Sequence, residues 1–164
     1  MIISFYLHSM QKKQSFTLAE AQKKIEHYCA YQERCHKEVI DKLKEMGMFS
    51  VAIDTIVSKL IEDNYLNETR FAQSFARGKF RIKKWGRLRI QRELKLRQIS
   101  EYNIKAALKE LTEEEYNTTF WSLFEKRKQA VRGNNPSVQK KKIISYMVYR
   151  GWEIQKIYDA LQEL

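Results

Sequence analysis

Apolar residues recur at helical spacing along this chain, and the marks of helix ends fall between the runs. Thr17 with Glu20, and Thr112 with Glu115, fit the capping box, in which each side chain satisfies an orphan backbone N–H. Ser50, Asn67 and Ser100 read as simple N-caps, and Asn135 precedes Pro136, a proline at the first helical position where its missing N–H costs nothing. These marks divide the chain into about nine helices. Five Gly and one Pro in 164 residues leave few breakers, and the many Leu, Lys, Glu, Gln and Arg favour helix over strand, so the fold class is all-α.

Sliding the chain against itself by 51 and then 53 residues superposes the apolar positions. Val39 meets Ile90 and Ile143, Leu43 meets Leu94 and Met147, and Met48 meets Ile99 and Trp152. The same offsets align Ile53/Ile104/Ile157, Val57/Leu108/Leu161 and Leu60/Leu111/Leu164. Gly47 and Gly151 coincide just past a helix end, where a left-handed residue stops a helix, while Gln98 holds that place in the middle copy. Upstream, Ala21 and Ile25 match Phe71 and Phe75, and then Phe120 and Phe124, at slightly shorter offsets. The expectation is three tandem three-helix units at 17–66, 67–111 and 112–164, stacked as an elongated curved array. The plainer alternative is one nine-helix bundle. Residues 1–16 form an N-terminal arm with no assigned element; the apolar opening MIISFYLHSM has no preceding basic residues and is too short to span a bilayer.

Charge changes the picture in the middle of the chain. The formal net charge is +11, which favours anionic partners. Residues 67–98 carry eleven Lys or Arg against two acids, whereas 18–66 carry seven against nine. On a helix of 100° per residue, Phe71, Phe75, Gly78 and Ile82 share a core stripe, and Arg70, Arg77, Arg81 and Lys84 share another. In the next helix Ile90 and Leu94 face inward while Arg89, Arg92 and Lys95 project oppositely, with Trp85 and Gly86 at the turn between. Glu–Lys pairs within this segment are nearly absent, so the ridge is read as a binding surface for phosphates or an acidic protein groove instead of a solvated face. Lys140, Lys141 and Lys142, at the start of the corresponding helix of the third unit, are a second candidate patch.

Other chemistry is sparse. His27, Cys29, Cys35 and His36 invite a metal, but Cys29 and His36 lie two turns apart along one helix, too far for one tetrahedral ion. No metal or other cofactor is expected, and two cysteines read as reduced thiols. No phosphate-binding loop, nucleophile elbow or metalloprotease pair occurs. Tyr28, Tyr31, Trp121, Tyr146, Tyr149 and Trp152 could stack bases, but their helical spacing fits core positions.

The run YLNETRFAQSFARGKFRIKKWGRLRIQRELKLRQIS, residues 65–100, resembles the signature of the RecX family, bacterial modulators of the RecA recombinase. Asn67, Arg70, Phe71, Ala72, Arg77, Lys84, Gly86, Arg89, Ile90, Glu93, Leu94 and Ile99 carry the resemblance. In the third unit Tyr149–Arg150–Gly151–Trp152 is similar to that family's basic-Gly-aromatic helix end. The family's middle unit commonly has a basic residue followed by Gly at this step, where this chain has Arg97–Gln98.

The resemblance implies a non-enzymatic regulator, mainly an inhibitor, that docks along the groove of the RecA filament on single-stranded DNA. There it would limit filament growth, ATP hydrolysis, strand exchange and co-protease activity. It implies contact with DNA, single- or double-stranded, through the filament or directly; the short apolar opening, the two reduced thiols and the lack of a dimerisation helix in the pattern add the expectation of no membrane, a cytoplasmic location and a monomer. The residues assigned to partner or DNA contact are Arg70, Arg77, Arg81, Lys84, Arg89, Arg92, Lys95, Lys140, Lys141 and Lys142. A three-helix unit with a basic second helix is also compatible with a helix-turn-helix transcription factor, which would normally be a dimer on paired half-sites. Nothing in the pattern groups an acid, base, nucleophile or metal ligand as an enzyme requires.

Overall fold

A computed structural model of the chain describes residues 16–163. Of the expected arm over 1–16 only Phe16 falls within that range, and Leu164 lies outside it. The described residues form nine helices and no strand: α1 (Leu18–Tyr31), α2 (His36–Glu45), α3 (Ser50–Glu62), α4 (Glu68–Lys83), α5 (Arg87–Leu96), α6 (Glu101–Lys109), α7 (Glu113–Ala130), α8 (Pro136–Tyr149) and α9 (Ile154–Gln162). They gather into two compact units, one ending at Asn67 and the other beginning at Glu68. The 111/112 boundary expected from sequence thus falls inside a compact body holding α4 to α9.

In the first unit the apolar stripes of three helices close on one another. Ala21, Ile25 and Cys29 of α1 meet Val39 and Leu43 of α2 and Ile53, Ile56 and Leu60 of α3, with Met46 and Leu66 closing the ends. The Thr17–Glu20 capping box forms as the sequence predicts. The helix that Ser50 was expected to cap starts one residue earlier: Phe49 is the extended N-cap residue and Ser50 the first helical one. Both cysteines are free and buried. Burial pushes the Cys29 thiol up to about 11, so it remains a protonated, inert core residue at neutral pH.

Three of the six aligned sets are buried in every copy, while Met48, Val57 and Leu108 of the others are half-buried and Leu164 lies outside the described residues. Val39, Ile90 and Ile143 are buried, as are Leu43, Leu94 and Met147, and Ile53, Ile104 and Ile157. The core stripe of α4 is Phe71, Ala72, Ala76 and Phe80, not the expected Phe71–Phe75–Gly78–Ile82, since Ile82 is 76% exposed. With Phe80 inward, Ile82 lies about 200° around the helix from it. Of the aromatics expected inside, Trp152 is buried, but Tyr31 and Tyr149 are exposed.

The second helix of every copy ends in the same way. Gly47, Gln98 and Gly151 all take the left-handed conformation, with φ of 81°, 60° and 82°. In each copy the next residue's N–H reaches back five positions: Met48 to the Leu43 carbonyl (3.1 Å), Ile99 to Leu94 (3.2 Å) and Trp152 to Met147 (3.2 Å). This is the Schellman arrangement, and it satisfies carbonyls that a helix end otherwise leaves orphaned. Gln98 therefore does the work of glycine at a steric cost. Gln98→Gly should raise unfolding free energy by about 0.5–1 kcal/mol, seen as a higher urea midpoint at unchanged m-value.

Candidate functional site

The basic residues of α4 and α5 fall on two helices whose inner faces are buried by Phe71, Phe80, Ile90 and Leu94. The expected ridge is there only in part. Helix α4 ends at Lys83, and Lys84 turns left-handed (φ 54°), leaving the helical stripe that was to join it to Arg77 and Arg81. The face is also not unmixed. Arg77 Nη1 lies 2.8 Å from Glu110 Oε2, Arg81 Nη2 3.3 Å from Glu115 Oε1, and Lys95 Nζ 2.6 Å from Glu101 Oε1. These acids come from beyond residue 98, so counting charge within 67–98 could not reveal them. The segment's own two acids are engaged elsewhere. Glu68 accepts from the Ser100 hydroxyl (2.8 Å) and the Asn103 amide, and Glu93 pairs with Arg97 at 3.0 Å.

Arg89 does not project into solvent as expected. Its guanidinium stacks on Trp85 (4.1 Å) and Tyr149 (4.6 Å), and Nη1 donates to the Tyr149 carbonyl at 2.9 Å. Arg70 is half-buried, whereas Lys84 and Arg92 are exposed. Lys140, Lys141 and Lys142 are exposed on α8, with Lys142 Nζ 3.0 Å from Asn134 Oδ1. Exposed Lys83 also belongs to the α4–α5 surface, although the core stripe assumed from sequence left it unassigned.

What holds this surface in place is a contact between two turns. The Gly86 N–H donates to the Arg150 carbonyl (2.8 Å) and the Leu88 N–H to the Gly151 carbonyl (3.2 Å), while the Trp152 indole N–H donates to the Lys84 carbonyl (3.2 Å). A Cβ on Gly86 would stand 2.3 Å from the Gly151 carbonyl oxygen, and one on Gly151 would stand 2.3 Å from Arg89 Cβ. Gly86 has an ordinary extended backbone as the N-cap of α5 (φ −75°, ψ 168°), so its glycine is required by close approach and not by torsion.

Aromatic rings pack beneath the turns. Tyr116 lies 4.5 Å from Trp152 and 5.8 Å from Phe80, centroid to centroid, and Phe120 lies 5.4 Å from Trp152. The Tyr116 hydroxyl accepts from the Arg87 N–H (3.0 Å) and donates to Glu153 Oε2 (2.8 Å). Burial, reinforced by the Glu153 carboxylate against the opposing Arg87 N–H, raises the phenol above its ordinary value of 10.0. A raised pKa makes the proton-linked stability complete below about pH 10 and lost only as pH climbs above it. Arg87 covers the Tyr116 ring at 4.1 Å and bonds the Leu111 carbonyl and Glu113. Among the described residues no three His, Cys, Asp or Glu side chains come together as metal ligands, and no helix is long and apolar enough to cross a membrane.

Residues 67–108 match the family model for the second three-helix domain of RecX. That stretch makes the chain similar to the RecX family. It is 28% identical over 137 residues to the regulatory protein RecX of Bacillus cereus (strain B4264), covering 84% of this chain and 51% of that one, and the Bacillus anthracis protein gives the same figures. The chain thus spans about half the length of the curated RecX relatives it matches. The crystal structure of RecX from Lactobacillus salivarius superposes with a TM-score of 0.77 at 24% identity, over 90% of this chain and 96% of that one. A second crystal structure, of a regulatory protein RecX, gives 0.76 at 22% over 90% and 74%. These likenesses establish the all-α RecX fold.

The turn contact makes two mutational expectations. Gly86→Ala should destabilise the protein by about 2–3 kcal/mol, because the methyl group meets hydrogen-bonded backbone that cannot move aside. Tyr116→Phe should cost about 1–3 kcal/mol by leaving the Arg87 N–H and Glu153 without their shared partner. Urea titration of both variants at pH 7 measures these losses.

Proposed function

We propose that this protein is a non-enzymatic regulator of the RecA recombinase, mainly an inhibitor, which docks on the RecA filament on single-stranded DNA and limits its growth and ATP hydrolysis. The observation that carries the reading is the basic α4–α5 surface within residues 67–108, the stretch that matches the RecX second three-helix domain. The relatives that share this stretch are called regulatory proteins. In this reading the protein works in the cytoplasm as a monomer, by occupying a surface and not by turning over a substrate. The cations available at once are Lys83, Lys84 and Arg92, which are exposed and have no carboxylate partner among the described residues. Arg77, Arg81 and Lys95 join them by exchanging internal carboxylates for those of a partner. Each such exposed pair is worth only about 0.2–1 kcal/mol, so exchange is affordable on docking.

The transcription-factor alternative draws no support from α5. A helix entering the major groove needs free side chains at its N-terminal end, and there Arg87 is tied to Glu113 and Leu111 while Arg89 is sandwiched between Trp85 and Tyr149.

The test is the single-stranded-DNA-dependent ATPase of the RecA protein from the same organism, with this protein titrated from far below to above the recombinase concentration. Inhibition should set in well below one-to-one. The variant K83E/K84E/R92E should need at least ~10-fold more protein for half inhibition, a loss of roughly 1.4 kcal/mol, with its helical circular dichroism unchanged. No inhibition by the folded wild-type protein would remove the reading, and full inhibition by the triple variant would remove this surface from it.

A further inference from the structure

We infer that direct contact with nucleic-acid phosphates belongs to the end of the α7–α8 hairpin, not to the α4–α5 surface. This deepens the regulatory reading above and rests on it for its biological setting. Seven of the seventeen residues from Lys126 to Lys142 are Lys or Arg and none is acidic. Lys126, Arg127 and Lys128 occupy the last five residues of α7, Arg132 lies in the turn, and Lys140, Lys141 and Lys142 follow within the first seven residues of α8. At 1.5 Å per residue, all seven stand within about 9 Å of the hairpin's end along the helix axes.

The turn that gathers them is built, not loose. Val131 is buried. The Asn134 amide donates to the Val131 carbonyl (2.7 Å), the Gln139 amide donates to the Asn134 carbonyl (2.6 Å), and Lys142 bends back onto Asn134. Asn135 caps α8 by accepting from the Ser137 N–H at 2.9 Å.

The contrast with α4–α5 decides the assignment. There three cations face Glu110, Glu115 and Glu101, so beyond Lys83, Lys84 and Arg92 a polyanion gains further contacts only by displacing carboxylates. At the hairpin end the one ion pair among the described residues is the long contact of Lys128 with Glu125 (3.7 Å), while Arg127 leans over the Tyr146 ring at 4.8 Å. Lys126, Arg132, Lys140 and Lys141 are exposed and have no carboxylate partner among the described residues. The basic groups wrap around a knob instead of lining one face. Such a shape suits a flexible single strand, whose phosphates can arrange themselves around it, better than a flat protein surface. Each phosphate neutralised releases counterions, so the knob leaves a signature in the salt dependence of binding.

The experiment is fluorescence anisotropy of a labelled thirty-residue oligothymidylate, titrated with the full chain between 50 and 300 mM NaCl in the absence of recombinase. The variant K126Q/R132Q/K140Q/K141Q should flatten the slope of log K against log salt by about 2.8, at 0.7 for each of four phosphates, and weaken binding roughly tenfold or more at the lowest salt. The double variant K140Q/K141Q should show about half the change in slope, and R77Q/R81Q almost none; circular dichroism verifies that each is folded. Wild-type slope and affinity in the quadruple variant would overturn the assignment, as would an equal loss in R77Q/R81Q. Poly-L-glutamate at equal charge competing as well as unlabelled oligothymidylate would also overturn it, because the knob would then be a general polyanion surface. Recombinase ATPase assays on the same preparations separate the two readings. Unaltered oligothymidylate binding by the quadruple variant beside an inhibiting wild type sinks only the hairpin assignment, whereas a non-inhibiting wild type whose quadruple variant loses oligothymidylate binding sinks only the regulatory reading.

Discussion

The backbone contact between the turn at 84–86 and the turn at 150–152 is the constraint on which the second compact unit depends. Two polypeptide turns approach closely enough to exchange hydrogen bonds only if neither carries a side chain at the contact, and Gly86 and Gly151 meet that condition from opposite sides. Everything nearby is arranged by this approach. Trp152 can then reach the Lys84 carbonyl, Tyr116 can bridge Arg87 and Glu153, and Arg89 can fill the space between Trp85 and Tyr149. The consequence is that α4–α6 and α7–α9, although each repeats the same three-helix pattern, form one body.

The same contact explains why the repeat is imperfect where it is. Gly151 is used twice, once for its left-handed torsion at the end of α8 and once for the room it leaves beside Arg89. Gln98 sits at the equivalent helix end, has a left-handed torsion too, and is exposed, so that position takes a side chain. Gly47 has the torsion but nothing within 4 Å of a Cβ. One position thus carries three different loads in three copies, and only the torsion is common to all.

Much of the fold was legible in the sequence because helix formation is governed by local spacing. The apolar register at offsets of 51 and 53 residues identified buried positions in all three copies, and Thr17, Ser100, Thr112 and Asn135 each cap the helix expected of them. The errors lie where long-range contacts overrule local pattern. A 100° projection continued α4 through Lys84 and turned Ile82 inward, whereas α4 stops one residue short of Lys84 and buries Phe80 against Tyr116 and Trp152. The ridge looked unmixed because its neutralising acids lie 6 to 34 residues away along the chain. Lys126, at the end of α7, and Arg132, in the turn, escaped notice because they lie 8 to 16 residues before Lys140–Lys142, and only the hairpin brings them to one end.

Internal pairing gives the two basic surfaces different physical characters. On α4–α5 each exposed ion pair contributes about 0.2–1 kcal/mol, so a partner with well-placed carboxylates can exchange for Glu110, Glu115 and Glu101 with little net change in charge or solvation. Such a surface rewards geometric match, since a diffuse polyanion gains little by displacing carboxylates that are already held in place. At the α7–α8 end no exchange is needed, and attraction depends on the number of phosphates in reach and on ionic strength more than on their arrangement. Selectivity for an ordered protein surface and hold on the phosphates of a flexible strand are opposing demands on one patch of lysines and arginines. Dividing them between two sets of helices allows each to be tuned by its own neighbours, one by Glu101, Glu110 and Glu115, the other by the scarcity of carboxylates among the described residues around a hydrogen-bonded turn.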